Sequence, residues 1–228
     1  MSIPVNRPVA LVTGASKGIG RQIALALSAT HHVLVGGRDA TRVAAVVAEL
    51  ESAEPFLAEL TDAAAVTAAV AGIDKLDVLV HSAGLVAYGP LAESTTDQWR
   101  ALLELNVIAP ANLTRLLLPA LRAATGLVVF INSGAGLTAH PGFSAYAASK
   151  FALTALADSL RGEERGRVRV TSLHPGRVAT DMQAELAALE GRAYHPEVHL
   201  DPAAVARAVR LAVELPDAAV DAVRINPA

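Results

Sequence analysis

Apolar positions along this chain fall into two alternating patterns. Short, nearly unbroken runs rich in valine predict strands: PVALV (8–12), HVLVGG (32–37), PFLAEL (55–60), DVLVHSAG (77–84), GLVVFINS (126–133), VRVTSLHPG (168–176) and AVDAVRI (219–225). Between them lie longer Ala/Leu stretches with helical spacing, RQIALALSA (21–29), TRVAAVVAEL (41–50), AAAVTAAVAG (63–72), and runs over 96–123, 146–164 and 202–214. Strands that lack polar alternation are covered on both faces, and helices of one-strand length between them make right-handed crossovers. The pattern therefore predicts an α/β fold, a single doubly wound parallel sheet of about seven strands in one domain over 1–228. In such sheets ligands bind beyond the carboxyl ends of the strands, so the residues just after each strand hold the functional signal.

Composition narrows the class of partner. With 53% hydrophobic residues and a net charge of −3 from 19 basic and 22 acidic residues, the chain has ample core and no basic patch for nucleic acid or an anionic membrane. No cysteine is present, which removes disulfides, thiolate chemistry and sulfur-ligated zinc. The N-terminal run lacks the long apolar stretch of a secretory signal, and no later stretch reaches spanning length without charges or turn residues. The expectation is a soluble, cytoplasmic protein acting on a small molecule.

The first strand is followed by TGASKGIG (13–20), where Gly14, Gly18 and Gly20 allow a tight turn and close backbone approach to phosphate at a helix N-terminus. Such a turn can also merely pack helix on strand, but its place after the first strand of an alternating β/α chain favours the dinucleotide turn of a Rossmann fold. A P-loop does not fit, because neither Ser nor Thr follows Lys17; a methyltransferase would use the same turn but has no use for the later motifs. At the end of the second strand, GGRD (36–39) places Gly37 and Arg38 where an acid for a ribose 2′-hydroxyl is expected. Arg38 and Lys17 suit a 2′-phosphate instead, which predicts NADP(H) over NAD(H); Asp39, one residue on, would restore an acid if the register shifted.

TGASKGIG, HSAG (81–84), Asn106, Ser133, YAASK (146–150) and HPGRVAT (174–180) occur in the order and at the intervals of the short-chain dehydrogenase/reductase family, and over nearly the whole chain the sequence resembles that family. The resemblance implies catalytic roles for Asn106, Ser133, Tyr146 and Lys150. It also implies cofactor contacts from Gly14, Ser16, Lys17, Gly18, Ile19, Gly20, Arg38, Glu59, Leu60, Ser82, Ala83, Gly84, Tyr146, Lys150, Pro175, Gly176, Val178 and Thr180. A homodimer or homotetramer through the long helices follows from the same resemblance, and the small-residue surface of AASKFALTALA (147–157) permits close packing.

Tyr146 and Lys150 lie one helical turn apart and so share a face. A free phenol has a pKa of about 10, too high for acid–base work at neutral pH. A positive charge about 4 Å away at an effective dielectric of about 20 favours the phenolate by roughly 4 kcal/mol, about three pKa units, before the lysine's desolvation is subtracted. The expected chemistry is hydride transfer to a carbonyl carbon with Tyr146 giving the proton and Ser133 bonding the oxygen. Pro110 has no N–H, so in a continuous α-helix the Asn106 carbonyl would lose its partner four residues on and be free to hold a relay water near Lys150.

Other residues read more plainly. His81 and Ser82 stand where the family has two asparagines, and His81 reads as structural. Glu59 replaces a more usual aspartate near the adenine. His31 and His32 read as a surface turn, and Trp99 as a packing residue after a Thr/Asp cap. His195 and His199 have helical metal spacing, but Pro196 interrupts it and no carboxylate completes a site, so no metal is expected. The substrate walls, 85–89, 134–143 and the region after Thr180, are mostly apolar and suit an uncharged ketone or aldehyde, with Arg177 and Arg192 as the alternative for an acid. The segment 181–200 is short for the family's lid, which predicts an open pocket. The competing classes are an NADP(H)-binding regulator without turnover and an epimerase or dehydratase, for whose substrate domain the chain leaves little room.

Overall fold

The computed structural model describes residues 7–228, so the expectation for the first six residues lies outside the described residues. Seven parallel strands form one sheet in the order β3-β2-β1-β4-β5-β6-β7. They are β1 (Val9–Val12), β2 (His32–Gly37), β3 (Ala53–Leu57), β4 (Val78–His81), β5 (Leu127–Ile131), β6 (Arg169–Pro175) and β7 (Ala222–Ile225). The central strands are buried on both faces because alternate residues feed two cores. Ala10, Val12, Val33, Val35 and Val129 pack under α1 (Gly18–Ser28), α2 (Ala40–Val47) and α8 (Pro202–Val213). Leu11, Leu34, Leu79, Val128 and Phe130 pack under α3 (Ala63–Val70), α5 (Ala109–Ala124) and α6 (Ser144–Glu163).

Five helices start on a side-chain cap that the sequence supplies directly: Asp39 for α2, Asp62 for α3, Thr95 with Gln98 in a reciprocal box for α4 (Thr96–Leu103), Thr180 for the helix that follows β6, and Asp201 for α8. Each satisfies otherwise orphaned N–H groups and contributes about 1 kcal/mol. Trp99 sits in this first turn of α4 and donates its indole N–H to Ser94 Oγ at 3.1 Å. Thr96–Ala124, a 29-residue helical run, is by length and composition alone long and apolar enough to cross a membrane. Its Leu113, Leu117 and Leu121 are buried in the core on the sheet.

One expectation is corrected, and two stretches are more specific than the pattern foretold. The run over 96–123 is helical as expected, and within it Glu104–Ile108 is a π-helical turn in which the Ala109 N–H bonds the Glu104 carbonyl. Pro110 follows that turn, so the helix is locally widened beside the Asn106 carbonyl. His31 and His32 are not a surface turn: both are buried, His32 is the first residue of β2, and its Nδ1 lies 2.9 Å from Ser52 Oγ. Residues 181–200 contain a helix, α7 (Asp181–Leu189), capped by Thr180, which accepts from the Gln183 N–H. The stretch 196–198 is a 3-10 turn, and His195 pairs there with Glu197 at 3.1 Å.

Candidate active site

The carboxyl ends of all seven strands open into one crevice of about 1520 Å³. At β1 the turn predicted for phosphate is packed so closely that side chains are excluded. A Cβ on Gly14 would fall 2.8 Å from the Ala83 backbone, and one on Gly20 would fall 2.4 Å from the Gly14 carbonyl oxygen. Gly14 and Gly18 both have positive φ, 63° and 56°. Helix α1 has no side-chain cap and no acid in its first turn. Its leading N–H groups face the crevice, a ready seat for phosphate.

The strand ends next to it carry the discriminating charges. A Cβ on Gly37 would meet Val43 at 2.6 Å, so no acidic side chain fits at the end of β2. Asp39, the competing acid, is engaged instead in capping α2, accepting from the Thr41 and Arg42 N–H groups at 3.0 and 3.1 Å. Arg38 projects into solvent at the crevice mouth and reaches Glu59 at 3.2 Å. Burial alone would raise the Glu59 carboxyl, but the bonds from Arg38 and Thr61 outweigh it and hold the pKa below its usual value. Arg42 lines the same mouth, a second guanidinium that the sequence reading missed because it lies inside a helix. Lys17 pairs with Asp181 at 3.3 Å across the turn.

Thr13 also went unread. Its hydroxyl accepts from the Ser82 and Ala83 N–H groups at 3.0 and 3.2 Å, fixing the end of β4 against the glycine turn. The signal was a polar residue closing an apolar strand. His81 is structural, as expected: Nε2 lies 2.8 Å from Thr114 Oγ1, the ring stacks on Phe130, and complete burial pushes its pKa down to about 3.

Beyond β5 the four residues expected to act together converge. Ser133 leaves the strand extended, and its Oγ accepts from the Ala135 N–H at 3.1 Å. Tyr146 and Lys150 lie on the first turns of α6, and both line the crevice. Lys150 is 5% exposed, donates to the Ile131 carbonyl at 3.2 Å, and places Nζ 5.9 Å from the Tyr146 ring centroid. Asn106 acts as a clamp: Oδ1 accepts from the Leu85 N–H at 2.9 Å, while Nδ2 donates to the Leu85 carbonyl and to Ser149 Oγ, both at 3.0 Å. Ser149 Oγ in turn donates to the Tyr146 carbonyl at 2.7 Å, so Asn106 joins the β4 loop to the turn carrying Tyr146.

The acidity expected of Tyr146 is not present in this state. Burial raises its pKa, and the bond with Ser133 opposes that only in part. The Lys150 ammonium is itself desolvated, which lowers its pKa to about 8. Tyr146 is therefore a protonated donor, suited to giving a proton to a developing alkoxide.

The outer wall is aromatic and apolar. The Tyr88 and Phe143 rings meet edge-on at 5.0 Å, and Phe143 lies 6.3 Å from Tyr146. Gly142, at φ 83°, leaves the space that Tyr88 fills; a Cβ there would fall 2.5 Å from its ring. Arg177 does not offer a free charge, since it donates to both oxygens of the nearly buried Glu190 at 2.8 and 2.6 Å and ties the end of α7 to the loop after β6. Glu190→Gln is expected to loosen α7, raising KM for a carbonyl substrate about fivefold with a smaller change in kcat, since a bidentate charged pair exceeds a neutral bond by roughly 1 kcal/mol. Hydrogen exchange of the α7 amides alongside steady-state kinetics checks this.

Comparison with known proteins decides the family. The family model described as short chain dehydrogenase matches residues 8–191. The chain belongs to the short-chain dehydrogenase/reductase family. An uncharacterised short-chain type dehydrogenase/reductase from Sinorhizobium fredii is 39% identical over 225 residues, covering 94% of this chain and 89% of that protein. An alcohol dehydrogenase from the archaeon Thermococcus sibiricus, solved in complex with 5-hydroxy-NADP, superposes with a TM-score of 0.88 at 25% identity over 97% of both chains. A metagenomic short-chain oxidoreductase in complex with NADP gives a TM-score of 0.82 at 32% identity, again over 97% of both chains. This member of the family keeps the order of motifs read from its sequence, on the seven-stranded parallel sheet expected for it.

Proposed function

We propose that this short-chain dehydrogenase/reductase is an NADP(H)-dependent oxidoreductase that interconverts a small, uncharged ketone or aldehyde and its alcohol. The convergence of Ser133, Tyr146 and Lys150 at one end of the crevice whose other end is the uncapped α1 terminus carries this reading. The residues fit a dinucleotide: the glycine cradle excludes side chains, α1 offers free N–H groups, and the Lys150 ammonium has one protein acceptor among its described contacts, leaving donors for ribose hydroxyls. When bound, the cofactor supplies two electrons as hydride to the carbonyl carbon. Tyr146 gives its hydroxyl proton to the carbonyl oxygen, and Ser133 donates a hydrogen bond to that oxygen as charge develops. The Arg177–Glu190 pair and the Tyr88–Phe143 wall support a neutral substrate over an acid. A homodimer or homotetramer through α5 and α6 is part of the same reading, supported by the outward apolar strip of Ala148, Phe151 and Ala155 on α6.

NADP(H) is favoured because Asp39 caps a helix while Arg38 and Arg42 stand at the crevice mouth. Arg38→Leu is expected to weaken NADPH binding about tenfold, one exposed charge-assisted bond or roughly 1.4 kcal/mol, with NADH binding nearly unchanged. Fluorescence titration of both cofactors checks it, and equal affinities in the native chain would remove the preference. The activity is tested by following NADPH absorbance with a panel of ketones and aldehydes. Steady oxidation with at least one carbonyl is expected, whereas tight NADPH binding with no oxidation across the panel would favour a regulator.

A further inference from the structure

We infer that His174 is a positioning residue for Ser133, holding the serine's peptide through the last cross-strand link before the reaction centre. The regular β5–β6 ladder ends at the pair Ile131 and Leu173, with the Asn132 N–H donating to the Leu173 carbonyl at 2.8 Å. One residue later the backbone turns away into the short Gly134–Gly136 turn, so no ladder bond can fix Ser133. The His174 ring takes over there. Its Nδ1 lies 3.1 Å from the Ser133 carbonyl oxygen, and because a carbonyl only accepts, Nδ1 carries the proton.

The ring is 2% exposed, and its burial, partly offset by that bond and by Asp158, lowers its pKa and favours the neutral form. A neutral imidazole has a single N–H, so the carbonyl selects the tautomer. The Ser133 carbonyl also accepts from the Gly136 N–H at 3.0 Å. Removing the imidazole therefore does not orphan that oxygen, and the main loss is orientation of the hydroxyl that bonds the substrate oxygen. A small misplacement of such a group is enough to slow a reaction by one to two orders of magnitude.

The inference rests on the proposed role of Ser133 and is tested by replacing the donor at near-constant volume. His174→Asn can keep an N–H near the Nδ1 position, whereas His174→Leu and His174→Phe cannot; the two donor-free variants differ in volume, so either one that folds suffices. Steady-state kinetics with NADPH and the best carbonyl of the panel are measured beside NADPH titration by fluorescence. The donor-free variants are expected to lose about tenfold in kcat with the NADPH dissociation constant within about twofold of native, and His174→Asn to recover most of the loss. In a Ser133→Ala background the His174 substitutions should have no further effect on kcat. Native turnover with equal kcat for the Asn and donor-free variants, or equal losses with and without the Ser133 hydroxyl, overturns the role of His174 alone. Absence of native turnover overturns the oxidoreductase reading with it.

Discussion

Replacing Tyr146 with phenylalanine is expected to lower kcat by roughly a thousandfold while leaving NADPH affinity within a few-fold of native. The substitution removes one oxygen and preserves the ring that packs 6.3 Å from Phe143, so the apolar wall and the start of α6 stay in place. Burial keeps the phenol protonated in the cofactor-free state, which makes it a donor. Without it, the carbonyl oxygen would have to take its proton from water in a pocket walled by aromatic rings. Ser133 remains to bond the oxygen, so a residual rate above background is expected in place of complete loss. Stopped-flow hydride transfer and fluorescence titration on the same samples separate the two effects, and near-native kcat in a variant that still binds NADPH would remove Tyr146 from the chemistry.

Lys150→Met is expected to reduce kcat/KM for NADPH by about a hundredfold, because it deletes a buried charged donor that contributes roughly 1.5–3 kcal/mol per hydrogen bond. The linear side chain keeps most of the packing volume beneath Gly84, where a Cβ would lie 4.0 Å from Nζ. The pH profile gives a second readout. Burial lowers Lys150 to about 8, so the ammonium is present below that pH and is lost as pH rises through it. The kcat/KM for NADPH should therefore be level from about pH 6 to 7 and fall across an apparent pKa near 8, since that ratio reports the free enzyme. Tyr146 is shifted upward and adds no limb in this window. Lys150→Met should lack the limb at 8, and a limb that persists in the variant belongs to another group.

The strands were legible because burial on both faces writes itself as unbroken apolar runs, and the glycine turn was legible because its close contacts tolerate no side chain. Tyr146, Lys150, Ser133 and Asn106 were readable as a set through their order. What Asn106 does was not, because its partners Leu85 and Ser149 are far away in the chain. The π turn escaped notice since residues 104–108 have ordinary helical composition, and only the bonding pattern distinguishes them. Helix α7 was missed although Thr180 and Asp181 form a fair start signal, because Gly191 and Pro196 suggested an irregular segment and the Arg177–Glu190 tie is a tertiary contact. The buried histidine pair misled for a related reason: polar side chains near a turn look exposed unless the neighbouring strand that covers them is known. The acidity of Tyr146 was misjudged because the burial of the phenol and of the Lys150 ammonium, which depends on tertiary packing, was not readable from the sequence.

The most direct test of hydride transfer at this site uses NADPH deuterated at the transferring position of the nicotinamide ring, with a ketone from the reactive panel in ordinary water. Mass spectrometry should find one deuterium on the carbinol carbon of the alcohol, and none should appear with Tyr146→Phe beyond its residual rate. An alcohol without deuterium on that carbon, or deuterated cofactor that stays bound and unconsumed, would contradict the account.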